Sequence, residues 1–144
     1  MKVVVQKAKD AKCVVDGKTT GSIKNGLMVL VGFTQTDTIK EIEYLCKKIV
    51  NLRIFEDESG IMNKSVLDVN GDVLSISQFT LYGDASKGNR PSYIKALNGL
   101  EAIKLYEEFN KELSKYVHVE TGIFGADMDI VFTNSGPTTI ILER

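Results

Sequence analysis

The chain has 144 residues, enough for one domain with a proper core and too few for two. Its formal net charge of −1 excludes a protein that coats nucleic acid by charge alone, though not one that grips only the end of an RNA. No apolar run approaches the ~18 residues of a membrane span, and Met1-Lys2-Val3-Val4-Val5-Gln6 lacks a signal-peptide pattern. Cys13 and Cys46 are isolated and there is a single histidine, which argues against a disulfide framework and a zinc site. These features imply a cytoplasmic protein.

Lys2 to Ala8 reads as a strand with Val3 and Val5 on one face. Ala11 to Val15 and Thr19 to Ile23 flank Asp16-Gly17, a strong hairpin signal. Leu27 to Phe33 is a continuous apolar run, expected as a strand buried on both faces. Thr36-Asp37-Thr38 offers N-cap residues for a helix to about Val50, with Ile42, Leu45, Cys46 and Ile49 as its apolar stripe. Cys46 on that stripe is a small core hydrophobe rather than a nucleophile. Arg53-Ile54-Phe55 is a short extended piece before the turn Asp57-Glu58-Ser59-Gly60. Met62 to Val69 leads to Asn70-Gly71, a turn that opens a strand from Val73 to Leu81.

Tyr82 to Pro91 is a Gly- and charge-rich loop, of the kind that carries substrate contacts on a rigid scaffold. A helix from about Leu100 to Lys115 buries Ala102, Leu105, Tyr106, Phe109 and Leu113. Val117 to Val119 is a short strand holding His118, and Thr121 to Asp127 is a Gly-rich loop. Asp129 to Thr133 and Thr139 to Leu142 close the chain as strands on either side of Asn134-Ser135-Gly136-Pro137. This order implies an α/β domain with a mixed sheet and helices packed on one side.

Strand alternation from Val73 puts Leu74, Ile76, Gln78 and Thr80 on one face, so that face starts apolar and ends polar. Such an end suits a sheet edge facing a ligand, though the pattern alone favours a solvated strand end. Lys87, Arg90 and Lys95 fall within nine residues, as either a solvated loop or a phosphate contact. Conventional catalytic equipment is missing. His118 has no partner acid fixed near it for a Ser-His-Asp triad and reads as structural or exposed. No His/Cys/carboxylate grouping has metal-ligand spacing, no phosphate-cradling Gly-rich fingerprint is present, and no cofactor is implied.

Two segments carry a resemblance. Ser77-Gln78-Phe79-Thr80-Leu81 and Asn134-Ser135-Gly136-Pro137-Thr138-Thr139 resemble the two signatures of the D-aminoacyl-tRNA deacylases, a Ser-Gln-Phe-Thr-Leu strand end and an Asn-x-Gly-Pro-x-Thr turn. Asn51 to Phe55, Met62-Asn63, Lys87-Gly88 with Arg90-Pro91-Ser92, and Glu120 to Met128 also match, so the resemblance runs the length of the chain. It implies a three-layer α/β/β domain, a homodimer, and hydrolysis of the ester joining a D-amino acid to the 3′-terminal adenosine of tRNA. The neighbouring 2′-hydroxyl takes part in that chemistry, so positioning and oxyanion stabilisation can carry most of the rate.

By the same resemblance, Phe79 and Thr80 supply backbone N–H groups to the oxyanion, and the Thr80 hydroxyl polarises the carbonyl or positions water. Ser77 and Gln78 shape the pocket and hold the ribose, or merely terminate the strand. Phe124 is the aromatic contact for the terminal adenine, or a core phenylalanine. Ala102 and Met128 line the amino-acid pocket. Gly136-Pro137, cis in the family, aims its carbonyls into the partner subunit's pocket, where an L side chain would collide with main chain. Glycine, with no side chain, would pass the filter, which extends the expected substrates to glycyl-tRNA mischarged on tRNA(Ala). Read without the resemblance, Gly136-Pro137 is an ordinary hairpin turn.

Two positions depart from the family pattern. Lys7 stands where Arg usually helps fix the Gly-Pro loop, which implies a weaker clamp because Lys lacks the planar fork. Thr138 stands where Val is usual. The alternatives are a shifted substrate selectivity and, in a different class, a non-catalytic module that binds the 3′ end of RNA.

Overall fold

A computed structural model describes residues 1–144. Strands β1 (Lys2–Val15) and β2 (Lys18–Gly32) form one long hairpin. Asp16 at φ +49 and Gly17 at φ +75 make its turn, the left-handed pair that a two-residue hairpin needs. The sequence splits each of these strands in two; the structure keeps each whole and bends it. Asp10 at φ +50 and Gly26 at φ +149 take the bends without breaking the ladder. A Cβ at Gly26 would lie 1.9 Å from the Asp72 carbonyl oxygen, so the neighbouring strand packs directly on bare backbone.

The remaining elements follow as α1 (Ile39–Val50), a small hairpin of β3 (Phe55–Glu56) and β4 (Met62–Lys64), β5 (Asp72–Ser77), a 3-10 turn (Phe79–Tyr82), α2 (Gly99–Leu113), β6 (Val119–Thr121) and β7 (Asp129–Glu143). The main sheet runs β6-β5-β2-β1-β7, with β2, β5 and β6 parallel and β1 antiparallel to both its neighbours. Thr38 caps α1 as expected. Its hydroxyl accepts from the Lys40 N–H at 3.2 Å, and its own N–H donates to Glu41 Oε2 at 2.8 Å.

Both helices cover one face of the sheet. Val3, Val5, Leu27, Val29, Val31 and Val73 pack there against Ile42, Leu45, Cys46 and Ile49 of α1 and Tyr106, Phe109 and Leu113 of α2. Ala102 is buried on α2 as read from the sequence, while Leu105 is only half-buried and Glu112 is buried instead. Burial pushes the Cys46 thiol well up, in keeping with a core role. On the other face the outer part of the long hairpin curls back, forming a second cluster of Ala8, Ala11, Cys13, Ile23, Met28, Leu74 and Ile76. Gly21 marks the closure, since a Cβ there would lie 2.5 Å from the Thr121 carbonyl oxygen. The result is the α/β/β layering expected.

Two boundaries differ from expectation. The short strand after α2 starts at Val119, and His118 precedes it. The His118 carbonyl accepts the Val73 N–H at 3.0 Å while its exposed ring meets Glu120 at 2.8 Å. The last two expected strands are collinear parts of β7, both pairing with β1, so Asn134 to Thr139 is no hairpin turn.

Candidate active site

β5 stops where its ladder partners stop. β6 accompanies it only to Ser75, β2 pairs with it through Val31 and Ser77, and the last rung is the Gln78 N–H donated to the Val31 carbonyl at 2.7 Å. The chain then coils into the 3-10 turn, so the expected strand does not reach Leu81 and Gln78 and Thr80 do not alternate across it. Coiling gathers Gln78, Phe79 and Thr80 on one rim. The first two amides of such a turn, Phe79 and Thr80, have no carbonyl partner within it. The Gln78 side-chain amide donates to the Thr80 hydroxyl oxygen, which leaves the Thr80 O–H to donate elsewhere.

This rim borders a cleft of about 550 Å3. Ser77, Gln78 and Phe79 form one side, Ala102 at the start of α2 another, and Phe124 and Met128 from the loop between β6 and β7 a third. Gly32, Phe33, Ile76, Leu97 and Ile130 add to a mostly apolar lining in which Asp127 is the sole charged residue. Phe79 is half exposed and steadied edge-on by Tyr93, with ring centroids 5.1 Å apart. Phe124 leans on Tyr106 at 5.8 Å, and the Tyr106 hydroxyl donates to the Ser75 carbonyl at 2.7 Å, fixing the cleft wall to β5. No histidine lines the cleft, and no three His, Cys, Asp or Glu residues are grouped as metal ligands. What the cleft offers is hydrogen-bond donors at its rim, one carboxylate and an apolar wall.

Gly136 and Pro137 lie elsewhere in the chain. β7 pairs Thr139 with Gln6 and Asn134 with Ala8, so four residues, Ser135 to Thr138, stand opposite Lys7 alone and bulge outward. Gly136 (φ +118) and Pro137 are exposed, and the bond between them is cis. Asn134 ties the bulge at its base. With its amide nitrogen facing two carbonyls, Asn134 donates to Thr138 O and Lys7 O, each at 3.1 Å. Its oxygen then accepts from Thr139 Oγ1 at 3.1 Å and Gln6 Nε2 at 2.8 Å.

The Lys7 side chain is buried on the helix side of the sheet, and its ammonium meets Glu56 Oε1 of β3 at 3.1 Å. Within the chain it makes no polar contact with Gly136 or Pro137; the Lys7 link to the bulge is its backbone carbonyl. The structure therefore brings Ser77, Gln78, Phe79, Ala102, Phe124 and Met128 to one cleft; Thr80 does not line it but is bonded to Gln78, which does, and Lys7, Gly136 and Pro137 lie outside it.

The sequence profile of the D-Tyr-tRNA(Tyr) deacylase family matches residues 4–143. The chain belongs to that family. Relatives named D-aminoacyl-tRNA deacylase include one from Clostridium tetani (strain Massachusetts / E88), 58% identical over 144 residues, with 99% of this chain and 97% of the relative covered. Another, from Bacillus cereus (strain AH187), is 56% identical with 99% of each covered. Among solved structures, a c-Myc DNA unwinding element binding protein superposes with a TM-score of 0.95 at 41% identity, covering 100% of this chain and 99% of that one. A probable eukaryotic D-amino acid tRNA deacylase superposes at 0.83 with 17% identity, covering 98% and 97%, which shows the shared fold.

Other residues at the deacylase-family cleft escape sequence reasoning. Phe33 ends an apolar run that reads as core, and core it is, buried against Phe109; that it also lines the cleft is visible only in the fold. Leu97 and Asp127 sit in segments that give no periodic signal. The role of Asn134 at the bulge could have been suspected from its place at the head of the Gly-Pro segment, but the register that makes it a tie comes only from the fold.

Proposed function

We propose that this chain is a D-aminoacyl-tRNA deacylase, a hydrolase that cleaves the ester between a D-amino acid and the 3′-terminal adenosine of tRNA. The observation that carries it is a family-matched, mostly apolar cleft whose polar rim offers amide and hydroxyl donors but no nucleophile paired with a base. Phe124 stacks the terminal adenine, Ser77 and Gln78 hold the ribose, and Ala102 and Met128 bound the amino-acid side. The Phe79 and Thr80 amides receive the carbonyl oxygen as it gains charge, a role for which one donor is typically worth about 10²–10³ in rate. The Thr80 O–H, free to point outward, polarises the same carbonyl or holds the water, and the ribose 2′-hydroxyl assists. An aminoacyl ester is already activated, so placement suffices.

Chirality is assigned to Gly136-Pro137 acting in a homodimer, each loop entering the other subunit's cleft. Three features support this: the loop is exposed, it lies outside its own cleft, and exposed Ile141 and Val131 on β7 offer apolar surface to a second copy. A main-chain filter rejects L side chains by collision, accepts many D residues and passes glycine, so the substrates include glycyl-tRNA mischarged on tRNA(Ala). No helix is long and apolar enough to cross a membrane, and we place the work in the cytoplasm. The test is a deacylation time course on D-Tyr-tRNA and L-Tyr-tRNA in parallel, with EDTA present. Loss of the D ester alone supports the reading. Loss of both esters removes the filter, and binding without hydrolysis makes the chain an RNA-end binder instead.

A further inference from the structure

The loop after the 3-10 turn carries chemistry that the cleft does not use. Gly83 to Lys95 is exposed throughout, and it contains Lys87, Arg90 and Lys95 with Asp84 as its only acid. Asp84 is already engaged: its carboxylate accepts the Ser86 N–H at 2.9 Å and lies 4.0 Å from the Lys95 ammonium. Lys87 and Arg90 make no ion pair or side-chain hydrogen bond. Other exposed lysines of the chain are equally unpaired; what sets Lys87 and Arg90 apart is their place on a loop joined to the cleft rim.

The loop is also fastened. Asp84 and Ser92 form a two-way backbone bridge at 2.9 and 2.8 Å that closes its neck. Gln35 Nε2 donates to the Ile94 and Ala96 carbonyls, at 3.0 and 3.1 Å, and the Thr34 hydroxyl donates to the Lys95 carbonyl at 2.6 Å. Tyr93 at the returning end packs on Phe79 at the rim of the cleft. A Cβ at Gly88, on the tip, would meet nothing within 4 Å, so the tip stands clear of the protein. The cations are thus carried on a pinned arm that begins and ends at the cleft rim.

We propose that Lys87 and Arg90 form a phosphate grip for the nucleic acid whose end enters the cleft, contacting the RNA backbone beyond the terminal nucleoside without reading its sequence. This rests on the deacylase reading and adds a second contact region to it. Backbone phosphates are the chemistry that unpaired, exposed Lys and Arg beside a nucleoside pocket fit. The arm supplies affinity for long substrates and leaves the chemistry at Phe79 and Thr80 untouched.

The test compares the wild-type protein with the K87Q/R90Q double variant on D-Tyr-tRNA and on the D-tyrosyl ester of adenosine, which has no phosphate. The expected result is a fall of about tenfold in kcat/KM on the tRNA, through KM, from two exposed charge contacts. The adenosine ester should be cleaved at the wild-type rate, and the slope of log(kcat/KM) against log salt should flatten by about 1 per lost contact. Unchanged tRNA kinetics and salt slope would overturn the grip. So would an equal loss on both substrates, which would mean that the loop acts through Phe79. If the wild-type protein cleaves neither ester, the deacylase reading fails. The grip is then judged by the salt slope for binding uncharged tRNA, which should be shallower in the double variant, and equal slopes would overturn it.

Discussion

Replacing Gly136 with Ala tests how the proposed filter is built. Gly136 sits at φ +118, where a residue with a side chain is strained by about 1–3 kcal/mol. A Cβ there would fall 2.5 Å from Thr138 Oγ1 and 2.7 Å from Thr138 N. The hydroxyl can rotate aside, but the backbone nitrogen cannot, so the loop itself has to move. The nearest obstacle to the methyl thus lies within the same loop. Because the bulge is exposed, it can relax locally, and global stability should fall by only about 1–2 kcal/mol, a few degrees in melting temperature for a chain this size. The carbonyls that meet the substrate should shift with it. Single-turnover rates on D- and L-Tyr-tRNA, with a thermal melt alongside, should show the D-to-L rate ratio falling by about tenfold or more while the protein stays folded. A variant with the wild-type ratio would refute this account of the filter.

Three other outcomes follow from named contacts. Asn134→Asp replaces a two-bond donor with a group that cannot donate to Lys7 O and Thr138 O, at a cost of about 1–3 kcal/mol to the bulge. The D-to-L ratio should drop while the inhibition constant of free adenosine, which needs only the Phe124 side of the cleft, is unchanged. Phe124→Ala should raise KM for the D-tyrosyl ester of adenosine by about tenfold, in line with about 1–3 kcal/mol per stacked base, and should affect kcat less. Hydrogen bonds from Ser65 hold the Asp68 carboxyl below its usual range, with the N–H at 2.7 Å and the hydroxyl at 2.8 Å. A lowered pKa stabilises the fold above the unfolded value of about 4, and the contribution is lost as pH falls from there through the lower folded-state value. The melting temperature should therefore decline as pH falls below about 5, and Asp68→Asn should flatten the decline.

Much of the scaffold was legible because its signals are local. Asp16-Gly17 dictates its own turn, and Thr38 with Glu41 caps α1 ahead of a helical stripe of four apolar residues. What escaped depends on neighbours distant in sequence. Asp10 and Gly26 look like strand breaks but act as bends, because β1 and β2 stay paired with each other across both, Ala8 with Gly26, Lys9 with Asn25 and Ala11 with Ile23. The strand through Ser77 looks as if it continues, since Phe79 and Thr80 are good strand formers, yet it ends where its partners end. The Gly-Pro segment looks like a hairpin turn, and only its pairing with β1 reveals a bulge in one strand. For the site, the motif residues came from family resemblance rather than from periodicity. The Lys7 ammonium was expected at the loop; it follows strand alternation to the helix side and meets Glu56.

The central claim is that one cleft and another subunit's Gly136-Pro137 loop make a single chiral site. The most direct measurement is a subunit-mixing assay. A chain with Gly136→Ala is co-expressed under a second tag with a chain carrying Thr80→Ala, and the purified heterodimer is assayed on D- and L-Tyr-tRNA. Loops that act across the dimer leave one site with an intact cleft and an intact loop, so the heterodimer should recover about half the wild-type activity with D selectivity restored. Loops that act within their own chain leave a defect in both sites, and a heterodimer no better than the mean of its parents would contradict the account.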